Sequence, residues 1–138
     1  MNTNIESVTT EEFKRSLPRL CLSPRVLPRK RRDLQILFKS VAITLDTKKQ
    51  YTAAEFDQHL QSWLESVGSG LRVDHVTLRR HLVDEDYVRR DRAGGTYVPV
   101  RRARSEIFEP DVEEIDPLSL VNEAILQRED RKRRHRSK

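Results

Sequence analysis

With 27 Lys and Arg against 22 Asp and Glu in 138 residues, the chain is small, highly charged and net positive at +5. Charged and apolar residues each make up 36% of it, so the core is modest and the length suits one domain with tails, excluding a multi-domain enzyme. No apolar run reaches the roughly 18 residues of a membrane span, and Met1 to Thr10 lack the basic-then-apolar pattern of a secretory signal.

The lone Cys21 cannot form an internal disulfide, and no Cys/His cluster has zinc-ligand spacing. A reducing, cytoplasmic setting is expected, with no metal and no cofactor. By segment, residues 1–23 carry three Lys/Arg and three Asp/Glu, residues 24–100 carry fourteen against ten, and residues 101–138 carry ten against nine. These are read as an N-terminal extension, a central domain, and an acidic linker with an amphipathic helix and a basic tail.

In chain order, Thr9 and Glu12 form a capping box ahead of a short helix that should end near Pro18. Leu17, Leu20, Leu22, Val26 and Leu27 make an apolar lead-in that could drape over a core. Pro24 and Pro28 delimit the start of the central domain. From Asp33, the spacing of Leu34, Leu37, Phe38, Val41 and Leu45 predicts an amphipathic helix to about Leu45. Thr52 and Glu55 form a second capping box, before a helix that carries Phe56, Leu60, Trp63, Leu64 and Val67 on one face. Gly68-Ser69-Gly70 stops that helix. Asp74 is a good N-cap for a third helix over about 74–85, with Leu78, Leu82 and Val83 turned inward. Thr77, Arg80, His81 and Asp84 then fall on its outer side. Two β-prone runs within about 87–100, joined by Arg92-Ala93-Gly94-Gly95, read as a hairpin, with room for one short strand at its edge from Tyr51. Three helices followed by a hairpin describe a winged helix-turn-helix, mostly α with a small β element. Beyond it, Asp116-Pro117 starts a further helix striped by Leu118, Val121 and Ile125, whose basic end suits the helix dipole.

Leu78-Arg79-Arg80-His81-Leu82-Val83-Asp84, together with Tyr51-Thr52, Glu55, Arg90-Asp91, Gly94 or Gly95, and Tyr97, resembles the bacterial family called domain of unknown function 2087. The resemblance covers about residues 25 to 100. It implies a winged helix, often found beside or fused to ArsR-type transcriptional regulators, and assigns no activity. Three departures stand out. The family's Glu-Val-Asn is Glu55-Phe56-Asp57 here, its Gly after the third helix is Asp86, and a wing position that is often acidic is Arg89.

Three groups of cations form a candidate nucleic-acid surface. Arg29, Lys30, Arg31 and Arg32 precede the first helix of the domain, where free N–H groups would also face a phosphate. Thr77, Arg80 and His81 on the third helix could reach base edges in a major groove. Arg89, Arg90 and Arg92 on the hairpin suit backbone contact. Arg79 and Arg90 have a structural alternative, for example pairing with Asp84 or Asp91. Asp84, Glu85 and Asp86 would repel phosphate at the end of the third helix, so it should dock by its N-terminal half. No catalytic motif is present: there is no phosphate loop, nucleophile elbow or chelating His pair, and Cys21 reads as a packed thiol. Leu118, Val121 and Ile125 are the expected contacts for a partner, which could be this chain's own core, a second copy, or a larger assembly.

Overall fold

A computed structural model describes residues 7–24, 26–93 and 95–136. Of the positions singled out in the sequence, Gly94 and the ends of the chain (1–6, 137 and 138) lie outside the described residues. The elements are α1 (Thr10–Leu22), α2 (Arg31–Ala42), β1 (Tyr51–Thr52), α3 (Ala53–Ser66), α4 (His75–Asp84), β2 (Val88–Asp91), β3 (Thr96–Pro99), a short 3-10 helix (Pro110–Glu114) and α5 (Pro117–Arg136).

The capping residues act as their chemistry requires. Thr52 Oγ1 accepts from Glu55 N–H at 3.1 Å while the Glu55 carboxylate accepts from Thr52 N–H at 2.9 Å, a complete capping box on α3. Asp74 Oδ1 accepts from Thr77 N–H at 2.7 Å and starts α4. Thr9 caps α1 through Glu12 N–H. The three strands are antiparallel in the order β1-β3-β2, with Tyr51 opposite Tyr97 and Arg90 opposite Tyr97. The fold is mostly helical with one small sheet: α2, α3, α4 and the sheet form a winged helix, with helical additions before and after it.

Two boundaries differ from the sequence reading. Helix α1 does not end at Pro18 but runs through it to Leu22. An interior Pro costs about 3 kcal/mol, yet Phe13, Leu17, Leu20 and Cys21 are fully buried on both sides of it, each at about 1.5–3 kcal/mol for a large side chain. Packing prevails. Helix α2 stops at Ala42 because Thr44 and Leu45 N–H donate to the carbonyls three residues back, and Thr44 Oγ1 also donates to Val41 O. The polypeptide tightens there and leaves the α-helical path.

The additions are not separate bodies. Phe13, Leu17, Leu20 and Cys21 of α1, Phe108, Val112 of the 3-10 helix and Val121 of α5 share one buried cluster with Leu37, Phe38, Leu60, Leu78 and Leu82. Val8 N–H donates to Ile107 O, and Glu109 N–H to Val8 O at 3.1 Å, joining the two ends in a parallel bridge. Val26, expected in the apolar lead-in, is instead exposed. Among the described residues no helix is long and apolar enough to cross a membrane.

Candidate nucleic-acid interface

Helix α4 buries Leu78 and Leu82, and the register of β2 on β3 sets Arg90 across from Tyr97. Between this helix and the wing lies a cleft of about 370 Å³, lined by Val76, Arg79, Arg80, Val83, Asp84, Arg90 and Tyr97. Tyr97 is its floor. Its ring stacks on Phe56 at 4.7 Å and 22°, and the guanidinium carbons of Arg79 and Arg90 sit 6.0 and 5.8 Å from its centroid, within cation–π range. Arg79 also pairs with Asp57 of α3 at 2.5 Å, and not with Asp84 or Asp91 as the sequence suggested. Asp57 stands where the family pattern has Asn, so this chain has a charged partner at that position. Arg80 is exposed and makes no hydrogen bond or ion pair among the described residues.

The other predicted cations divide into two groups. Arg89 is 73% exposed, with a long 3.8 Å approach to Asp86, and Arg92 is exposed at the hairpin link. Arg29 and Lys30 are exposed as well. Arg31 and Arg32, by contrast, are structural ties. Arg31 makes a bidentate pair with Glu85 at 2.5 and 2.9 Å, and Arg32 pairs with Glu12 of α1 while donating to Ser7 O at 3.0 Å. The Arg31 pair sets the start of α2 beside the acidic end of α4, away from Arg80. The basic cluster Arg29 to Arg32 is therefore not one free phosphate site.

His81 is a second correction. It does not project to solvent from the outer face but stacks on the buried Phe38 ring at 5.5 Å and 19°. It lies one position from Leu82 and flanks the apolar stripe, and the flat Phe38 ring offers it a packing surface. Thr77 is half-buried in the first turn of α4, its N–H held by Asp74. The N-terminal half of α4 thus exposes Val76 and Arg80, with Thr77 half-buried between them.

Several residues around the site take structural roles that the local sequence did not signal. Glu85 accepts from Arg31, from Gln35 Nε2 at 3.0 Å and from Arg104 at 3.3 Å; the Arg31 guanidinium holds its carboxyl below the ordinary range. Gln35 in turn accepts from the buried Tyr87 hydroxyl. Lys39 is fully buried, donating to Ala103 O and to Glu113, and desolvation lowers its pKa. Glu85 and its partners fix the outer end of α4, Lys39 ties α2 to the segment after the sheet, and these paired groups carry no free charge to a ligand. Cys21 is buried, its thiol pushed up to about 12 by desolvation, so it is an unreactive packed group.

On α5, Val121 is fully buried and Ile125 partly so, against this chain's own core. Of the predicted partner contacts, Leu118 stays exposed.

The family described as "uncharacterized protein conserved in bacteria (DUF2087)" matches residues 25–98. No curated protein matches the chain, and no solved structure does.

Proposed function

The chain belongs to the DUF2087 family, and from the cleft between α4 and the wing we propose that it binds nucleic acid, as a small cytoplasmic regulator of transcription acting on double-stranded DNA. One observation carries the reading. Arg79, Arg80 and Arg90 converge on a single cleft, and the exposed Arg89 and Arg92 extend the same wing. Guanidinium groups supported by an aromatic floor suit phosphate and base edges. In this reading Val76, Thr77 and Arg80 enter the major groove, the wing follows the backbone, and the three guanidinium groups outweigh the one carboxylate, Asp84, that lines the cleft with them. No side chain is assigned to catalysis.

The test is duplex binding by fluorescence anisotropy over a range of salt. Affinity should fall steeply as salt rises, and Arg80→Glu or Arg90→Glu should each weaken binding at least about tenfold and lower the salt slope by about 1. Arg31→Glu should act on stability, because it breaks the Glu85 pair. Absence of binding at low salt, or reversals without effect, would remove the proposal.

A second reading, an adaptor docking through α5 on a larger assembly such as RNA polymerase or the ribosome, has the exposed Leu118 and Leu126 in its favour. Purification with partners under nuclease separates the two, since only protein contacts survive.

A further inference from the structure

Of the ten residues of α4, only Val76, Arg80 and Asp84 are exposed. They stand at i, i+4 and i+8, a single ridge along the helix, and all three line the cleft against the wing. Leu78 and Leu82, on the other side, are fully buried, so this ridge is the face of α4 turned away from the core. It presents one apolar, one cationic and one anionic side chain, in that order.

The fold does not account for the two charges. An acid in the last turn opposes the helix dipole, which favours a cation there. Asp84 makes no hydrogen bond or ion pair among the described residues, and neither does Arg80. A cation one turn before an acid is the weaker order for pairing along a helix, and no ion pair joins these two. The neighbouring Glu85, by contrast, is tied by Arg31, Gln35 and Arg104. If α4 met only phosphates, Asp84 would simply weaken binding.

Base edges supply what phosphate does not. In the major groove guanine presents two acceptors, which suit a guanidinium, and cytosine presents an amino donor, which suits a carboxylate. Guanine and thymine offer only acceptors on that side, which a carboxylate repels. Four helical residues advance about 6 Å along the axis, close to two steps of about 3.4 Å along a strand.

Resting on the nucleic-acid reading above, we propose that this ridge reads sequence, Arg80 selecting guanine and Asp84 selecting cytosine about two base pairs further along the groove. Val76 meets a base edge about two pairs the other way, where a thymine methyl fits it. Asp84 acts by exclusion more than by attraction, weakening every complex that sets no amino donor in front of it. Arg90, across the cleft on the wing, holds the backbone that passes beside the ridge.

Full-length protein is used to select duplexes from a randomised library at moderate salt, and the enriched sequences are determined. Two G·C pairs about two steps apart should be enriched. Arg80→Ala should lose the first preference and keep the second. Asp84→Ala should lose the second, bind unselected duplex more tightly, and discriminate about tenfold less against a site with that pair replaced. Asp84→Asn should move the preference at that pair from cytosine to adenine, whose N6 and N7 an amide meets together. All three variants should keep the circular dichroism of the parent, because both side chains are exposed and unpaired. Three results would each overturn the proposal while leaving nucleic-acid binding intact: an enriched site without these pairs, an equal gain by Asp84→Ala on every duplex, or an unchanged preference in Asp84→Asn. A parent that binds no duplex at low salt would overturn both this proposal and the reading beneath it.

Discussion

Glu85 shows how much one side chain can organise in this molecule. It sits at the C-terminal end of α4 and ties that end to α2 through Arg31 and Gln35, and to the segment after the sheet through Arg104. Replacing it by Gln removes the charge that the two guanidinium groups share. The expected loss is about 1–2 kcal/mol at neutral pH, a hydrogen-bonded ion pair discounted because Arg31 is partly in water. The pH dependence follows from the direction of its shift. A carboxyl held below its ordinary pKa contributes fully above the ordinary carboxylate range, and the contribution fades as pH falls through its folded-state value. Urea midpoints of parent and Glu85→Gln should therefore differ at neutral pH and converge in acid. A constant difference at every pH would show that the carboxylate charge is not the source.

Among the elements, the junction from α4 to β2 carries backbone strain. Asp86 has φ +67°, the left-handed region that costs an L-residue about 1 kcal/mol and glycine little, and the family pattern has Gly at this position. Asp86→Gly should raise stability by about 0.5–1 kcal/mol, read from the thermal midpoint; a drop would mean that the Asp86 approach to Arg89 outweighs the backbone. Local signals made several elements legible in the sequence. Thr52 with Glu55, Asp74 and Asp116-Pro117 mark helix starts by side-chain chemistry within four residues, and the hairpin is announced by its β-prone runs. What was illegible depends on distant partners. Arg31 and Glu85 are 54 residues apart, so nothing near Arg31 marked it as a tie. His81 flanks the apolar stripe, and only the Phe38 ring decides which way it turns. Pro18 is a local stop signal overridden by packing that the sequence does not display. Of the candidate site, the cations on α4 and the wing could be named, but not the Tyr97 floor between them.

At the scale of the whole molecule, the winged helix is not self-sufficient. Phe13, Leu17, Leu20, Cys21, Phe108, Val112 and Val121 lie outside the family-matched segment, yet all are buried in the common core. At about 1.5–3 kcal/mol for each large side chain, their loss exceeds much of the 5–15 kcal/mol that holds a typical domain together. A fragment of residues 24–100 should therefore lack a cooperative thermal transition that the full chain shows. A sharp transition in the fragment would mean that the additions merely cover an already stable unit. The same accounting explains the buried Lys39. Its contacts with Ala103 and Glu113 anchor the returning C-terminal segment to α2, holding the 3-10 helix against the body.

The bridge from Val8 to Phe108 also has a consequence for the order of events during folding. Thr10 N–H donates to Glu109 across 99 residues, and α1 packs on the 3-10 helix and α5 as well as on α2. The central helices and the hairpin can collapse early through short-range contacts, which form fastest. On a ribosome, α1 emerges before the 3-10 helix and α5 that cover it and must wait, its apolar stripe incompletely covered, until residues near 121 have left the tunnel. Closing that long loop costs only slowly growing entropy, but the interval leaves Phe13 and Leu17 accessible to chaperones or to neighbouring nascent chains. Of the described helices, the first in chain order is the last one sealed.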